Sequence, residues 1–293
     1  MSSIKKIVFT KGTKFGNILI CLNKLIFFCE IIGCKEIELS NKAFWFIKNT
    51  IVLKDYNITI NKKIDNRNIS DKNNNNKHSD TIFYDSFNIF DYFYKIKPKI
   101  TIQPIRDEII NNLPKINISR EDLYIHLRGG DIFKNYIHKP YAQPPLCFYI
   151  SIIRNFNFRK IFLISEDQNN PNCNKLAKKI KNIIYSKNSL EYDLACLMNS
   201  YNLVGSISSF LNIIIILNSK LINLWDYNIY HMGQKIRHHH YDLFKFKHSF
   251  TIYRMEASAN YKKKMYIWKN SRTQRKLMTK EKCINSFMIM RNI

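Results

Sequence analysis

The chain has 293 residues, room for one large domain or two of ordinary size with a proper core. Hydrophobic residues make up 45% and aromatics 14%, the composition of a globular protein and not of a disordered one. Lysine and arginine number 47 against 22 acidic residues, and the resulting charge of +25 attracts polyanions, acidic membrane surfaces or phosphorylated small molecules without choosing among them.

Several classes are set aside early. Leu19 to Ile32 is interrupted by Asn23, Lys24 and Glu30, and Ile213 to Leu217 is short, so no transmembrane segment is expected. MSSIKKIVFTKG lacks the apolar core of a signal peptide, which favours a cytoplasmic location. The seven cysteines (Cys21, Cys29, Cys34, Cys147, Cys173, Cys196 and Cys283) form no CxxC pair, so they read as reduced core residues with no zinc framework. Ile, Asn and Lys are abundant while Gly and Ala are scarce, as an AT-rich genome would produce, so part of the charge is compositional.

Lys6 to Thr10 reads as a short strand and KGTKFGN as the loop after it. Apolar residues recur at Ile18, Leu22, Leu25, Cys29 and Ile32, a helical spacing that Gly33 ends. KEIEL, 35–39, is a second strand, giving a strand–loop–helix–strand unit of the kind that builds parallel sheets. Residues 61–80 are polar and read as a mobile insertion. Aromatics return over 81–95 and are expected to pack back on the first domain.

A second unit begins near Ser119. YIHL is a strand and RGGD its exit turn. Pro144 and Pro145 start a helix in which Leu146, Tyr149, Ile152, Ile153 and Phe156 share a face. KIFLI, 160–164, is a strand ending in Ser165, Glu166 and Asp167. Asn170–Pro171 opens a helix with Cys173, Leu176, Ala177, Ile180 and Ile184 in phase, and Ser189 caps another through Tyr201. NLVGSI is a strand, Ser208 to Leu217 a helix, and LINLW the last strand. From Trp225 onward the pattern dissolves into a basic tail with room for one helix that crosses back to the first domain.

Strand and helix thus alternate in both halves. The fold expected is α/β, two Rossmann-like domains with parallel sheets facing a cleft, and RGGD, SED and SSF all fall where ligands bind in such sheets, beyond the carboxyl ends of strands. Arg128 carries a fixed fork of donors suited to phosphate, and adjacent glycines let backbone N–H groups approach a ligand. Asp131, three residues on, is placed either to orient that guanidinium or to cap the next segment. Ser208 and Ser209 put hydroxyls at a helix start, where free N–H groups favour anions. Glu166 and Asp167 are candidates for bonding a sugar or acting as a base. Each motif alone is also an ordinary turn or cap. The loop around Gly12 and Gly16 resembles a phosphate loop only loosely, lacking GxGxxG and GK[ST]. His238, His239 and His240, with His231 and His248 nearby, are consecutive and poorly spaced for one metal, so no metal site is expected.

In order, the motifs read strand–GxxxGN–helix, strand–HLRGGD, YAQPPLCFY, strand–SED, and DLACLMNSYNLVGSISSF. This set, over residues 8–225, resembles the fucosyltransferase-like glycosyltransferases, particularly the α-1,2-fucosyltransferase group with its HxRRGD motif. The resemblance implies a GT-B-like fold, a GDP-sugar donor (GDP-fucose), inversion, a glycan or glycoconjugate acceptor, no cofactor and no required metal. It implies donor binding by His126, Arg128, Gly16, Asn17, Asp193, Ser208, Ser209 and Phe210, with Arg128 on the diphosphate and Asp131 on the motif's aspartate. Asp131, Glu166 and His138 remain open as the base. It also assigns 1–115 to an acceptor-side domain, 116–230 to nucleotide-sugar binding and 231–293 to a basic extension. Gly129 departs from the pattern, standing where a second arginine is usual, and Leu211 and Asn212 stand where tryptophans are usual. Two other readings are a basic nucleic-acid-binding α/β protein, for which Tyr241 to Phe250 and Tyr261 to Trp268 offer aromatics among basic residues, and a catalytically degenerate sugar-binding relative. Under the transferase reading no nucleic acid partner is expected.

Overall fold

The computed structural model describes residues 5–9, 15–39, 47–54, 57–62, 81–84, 103–134, 141–185, 188–229, 248–283 and 286–291. The chain divides into two compact units, Met1–Leu113 with Asp242–Lys245, and Pro114–Tyr241 with Phe246–Ile293. It is α/β, with two mixed sheets of mostly parallel strands and eight helices among the described residues.

In the first unit β1 (Lys6–Phe9) lies between β2 (Glu36–Leu39) and β5 (Thr81–Tyr84), parallel to both. β4 (Ile58–Lys62) is parallel to β2, and β3 (Ile51–Leu53) is antiparallel at the edge. Helix α1 (Phe15–Ile32) buries Ile18, Leu22, Leu25 and Cys29. It stops as its spacing and Gly33 require: Gly33 takes φ +70, Gly33 N–H donates to Glu30 O and Cys34 N–H to Cys29 O, which fills the last carbonyls. Helix α2 (Gln103–Asn111) completes the unit, and its Glu108 carboxylate accepts from the N–H groups of Lys48 and Asn49. The expected insertion beyond Lys62, Phe87 to Tyr94, Gly12, His138, His231 and His238 to His240 lie outside the described residues.

The second unit holds a seven-stranded sheet in the order β12-β11-β10-β9-β6-β7-β8. Its strands are β6 (Leu123–His126), β7 (Ile161–Ile164), β8 (Ile183–Tyr185), β9 (Asn202–Val204), β10 (Asn223–Asn228), β11 (Thr251–Glu256) and β12 (Met288–Arg291). Only β12 runs antiparallel to its neighbour. The helices are α3 (Leu146–Asn155), α4 (Pro171–Lys179), α5 (Leu190–Asn199), α6 (Ser209–Leu217), α7 (Ala259–Met265) and α8 (Arg272–Lys280). Local chemistry sets most starts: the Asn170, Ser189, Ser208, Ser258 and Ser271 side chains each accept a first-turn N–H. The core gathers aromatics around Trp225, stacked on Tyr253 with centroids 5.2 Å apart and met edge-on by Phe156 at 5.0 Å.

Three expectations need correcting. Ile184 is not the last turn of α4: the helix ends at Lys179 and residues 183–185 form β8, because isoleucine serves a helix face and a strand equally. LINLW is not the last strand: β11 and β12 follow, and α7 and α8 dock on this same unit, with α8 against α3 and α4. Cys147 and Cys283 are not reduced. They form a disulfide across 136 residues, their Cα atoms 5.6 Å apart once the C-terminal segment docks beside α3. A pairing at that separation leaves no mark in local spacing. Cys21, Cys29, Cys34, Cys173 and Cys196 are buried and not disulfide-bonded. Among the described residues no helix is long and apolar enough to cross a membrane.

Candidate functional site at the carboxyl ends of the second sheet

β9, β6 and β7 are neighbours in the sheet and parallel, so the segments leaving their carboxyl ends emerge side by side. These segments are Leu127–Asp131, Ser165–Asn170 and Gly205–Ser208. RGGD, SED and SSF therefore meet in space, as their places at strand ends predict.

Arg128 is turned inward, its side chain 13% exposed. One Nη donates to Ser208 Oγ at 3.3 Å and the other to Asp131 Oδ1 at 3.3 Å. The guanidinium lies 4.3 Å over the Tyr141 ring, and its backbone carbonyl accepts from Asn170 Nδ2 at 3.0 Å. Both side-chain bonds are long for charge-assisted hydrogen bonds, and most of the five guanidinium N–H donors make no hydrogen bond among the described residues. The Ser208 hydroxyl also accepts from Phe210 N–H at 3.2 Å, capping α6. The N–H of Ser209, in the first turn, has no intrahelical acceptor. A largely buried cation thus faces a helix start and its capping hydroxyl.

The two glycines have a spatial cause. A Cβ on Gly129 would collide with the Asp167 carboxyl, and one on Gly130 with the Glu166 carboxyl. Gly130 also takes φ +66. The gap left by the missing side chains lets Gly130 N–H donate to Asp167 Oδ2 at 3.0 Å. Asp167 is further held by Asn169 N–H at 3.0 Å and Asn169 Nδ2 at 2.7 Å. Beside Gly129 the space a side chain would take is filled by the Asp167 carboxyl from the neighbouring strand end.

The carboxylates differ in commitment. Asp131 accepts from Arg128 and from Ile132 N–H. Asp167 is bound by three N–H groups, as above. Glu166 is exposed and makes no hydrogen bond or ion pair among the described residues. His126 is buried, with Nδ1 2.6 Å from Ser206 Oγ and its ring 5.4 Å from that of Phe210. Burial, and after it the Arg128 charge, pushes the imidazole down to about 3, so it is neutral at physiological pH.

The structure brings Arg128, Asp131, Glu166, His126, Ser208, Ser209 and Phe210 together. It does not bring Asp193 to them: Asp193 lies in the first turn of α5, its hydrogen-bond partner is Asn188, and its charge acts on Tyr185 and Cys196. Gly16 and Asn17 open α1, in the other unit. Tyr261 and Trp268, offered above as base-stacking aromatics, are fully buried. Sequence reasoning missed Tyr141 under the guanidinium, Ser206 against His126, and Gln143. The Gln143 amide donates to the carbonyls of Tyr141 and Ile207, tying the ring below Arg128 to the residue before Ser208. YAQPP stood out in the sequence, yet nothing local tells that its Tyr and Gln point at this site. Among the described residues no group of three or more His, Cys, Asp or Glu is placed to hold a metal ion. No family model, no curated protein and no solved structure matches the chain.

Proposed function

We propose that the second unit binds a nucleotide-diphosphate sugar and that the protein is a glycosyltransferase of the fucosyltransferase-like kind, with GDP-fucose the favoured donor. The observation that carries this reading is the Arg128–Ser208 contact, which joins two motifs 80 residues apart at adjacent parallel strand ends. A diphosphate laid there meets the unspent guanidinium donors and the start of α6. It replaces long bonds to Ser208 and Asp131 with shorter charged ones. As the bond from the sugar to the diphosphate breaks, negative charge grows on the leaving group. A fixed arginine stabilises that charge more than it stabilises the ground state, which lowers the barrier.

Neutral His126 keeps the floor of the site from adding positive charge and leaves its ring as a hydrogen-bonding group. Glu166 is the base of choice, because Asp131 stays held by the Ile132 N–H even when a diphosphate takes its place on Arg128, while the Glu166 carboxylate is exposed beside the same turn and makes no hydrogen bond or ion pair among the described residues. It takes the proton of the acceptor hydroxyl as that oxygen attacks the sugar carbon opposite the leaving diphosphate, inverting it. The reading needs no metal, as the resemblance implies. It also takes the two units to be Rossmann-like domains in a GT-B-like arrangement, with a glycan or glycoconjugate acceptor.

The test is donor hydrolysis and transfer across a panel of nucleotide sugars, for wild type and Arg128→Ala. Turnover should fall at least ten-fold with the melting temperature near wild type, as loss of one charged contact implies. Unchanged turnover in Arg128→Ala refutes the assignment. Tight donor binding without turnover in wild type would leave the sugar-binding relative as the reading.

A further inference from the structure

The three carbonyls that follow the RGGD turn are bonded by side chains from the far end of the chain. Trp268 Nε1 donates to Ile132 O at 2.7 Å, and Asn270 Nδ2 donates to Phe133 O at 2.7 Å and to Lys134 O at 3.4 Å. Arg275 lies 5.4 Å over the Phe133 ring. One of its Nη atoms donates to Asn270 Oδ1 at 3.2 Å and the other to Asn169 O at 2.8 Å. Asn169 holds Asp167, and Asp167 accepts from Gly130 N–H, so the contacts close a ring through Arg275, Asn169, Asp167, Gly130, Phe133 and Asn270.

We propose that the segment Trp268–Arg275 is a brace that sets the position of the Arg128 turn for anion binding, with Asn270 and Arg275 as positioning residues. The proposal rests on the donor-site reading above. Three features mark the segment as a positioning device and not a passive cover. Asn270 sits at φ +52, a conformation that costs a non-glycine residue energy and persists where its surroundings over-determine it. Its side chain is the part that reaches the turn. Gln274, buried, donates to Lys264 O and Ile267 O and accepts from Lys269 N–H, which stiffens the loop that presents Trp268 and Asn270. The Cys147–Cys283 disulfide anchors the chain just beyond α8. Both ends of the brace are fixed, and the turn hangs from its middle. Arg128 itself makes no hydrogen bond, ion pair or ring contact with the brace, so any effect on its ligand passes through the turn or through Asn169 and Asn170, the latter holding the Arg128 carbonyl.

Two variants separate positioning from bulk stability. Asn270→Gly keeps the left-handed backbone and removes the side-chain bonds, and Arg275→Lys keeps the charge and loses the fork. Amide hydrogen exchange is read over 128–134 and, as a remote control, over 223–228, and affinity for inorganic diphosphate and for GDP is read by calorimetry. Exchange over 128–134 should quicken at least about ten-fold in both variants with 223–228 unchanged, and diphosphate affinity should fall by at least about five-fold. Unchanged exchange over 128–134, equal quickening over 223–228, or quickened exchange with undiminished diphosphate affinity overturns the brace. If wild type binds neither probe, the donor reading fails, and with it the claim that the brace serves anion binding. Exchange then still shows whether the brace holds the turn.

Discussion

The Gly129–Gly130 pair yields a prediction that runs against the usual rule. Only Gly130 has a positive φ, +66, so a backbone argument alone makes Gly130→Ala the costlier change. The left-handed conformation costs about 1–2 kcal/mol for a residue with a Cβ, and the lost unfolded-state freedom of glycine returns about 0.4–1 kcal/mol. The carboxyl that a Gly130 Cβ would strike is that of Glu166, exposed and bonded to nothing among the described residues, so it swings aside at little cost. The net is about 0–1.5 kcal/mol. A Gly129 Cβ instead strikes the Asp167 carboxyl and comes within 3.3 Å of the Asp167 backbone nitrogen. That carboxylate accepts from Gly130 N–H, Asn169 N–H and Asn169 Nδ2. Moving it loses at least one charge-assisted bond, about 1.5–3 kcal/mol, even though Gly129 has an unstrained φ of −115. The unfolded-state term is the same for both changes and cancels, so Gly129→Ala should destabilise the second unit more than Gly130→Ala by about 0.5–1 kcal/mol in urea unfolding with a shared slope. Equal midpoints, or the reverse order, would show that backbone conformation and not the Asp167 contact dictates the two glycines.

Glu166→Gln should lower kcat by at least about ten-fold while leaving donor affinity within a factor of two, since in the proposed reaction the residue takes the acceptor proton and does not bind the diphosphate; equal kcat in both proteins removes Glu166 as the base. Burial pushes the Asp193 carboxyl up from 3.8 to about 6, with the Asn188 bond opposing it. The native state then binds this proton more tightly than the unfolded chain, so the Asp193 contribution to stability falls as pH rises from about 4 to about 6. Asp193→Asn should flatten that part of the melting-temperature profile, and parallel profiles would show that the carboxyl is solvated.

What the sequence made legible follows from the range of the forces involved. Caps, terminating glycines and apolar periodicity act over a few residues, so the end of α1 at Gly33, the Ser189 and Ser208 caps and the strands before RGGD, SED and SSF were all readable. The meeting of those three motifs followed from one topological rule about parallel strands. β8 was not readable, because Ile183 and Ile184 continue the apolar phase of α4. The disulfide and the brace were not readable for a different reason: each is fixed by a partner 136 residues away, Cys283 to Cys147 and Trp268 to Ile132. Tyr261 and Trp268 look like exposed aromatics in a basic tail until the fold brings the Gln143 and Ile132 carbonyls against them and buries them.

That remote origin bears on the chemistry. A guanidinium held by long bonds to Ser208 and Asp131 is only loosely fixed by its immediate neighbours. Yet preorganised charge stabilisation requires that the donor not relax as the leaving group charges. The missing rigidity has to come from the backbone that carries Arg128, and that backbone is pinned on three sides: Asn170 on the Arg128 carbonyl, Asp167 on the Gly130 N–H, and the C-terminal side chains on Ile132 to Lys134. A loosely bonded side chain on a rigid turn is suited to exchange an internal carboxylate for a diphosphate without moving its own base. A rigidly paired Arg128–Asp131 on a mobile turn would be suited to neither binding nor transfer.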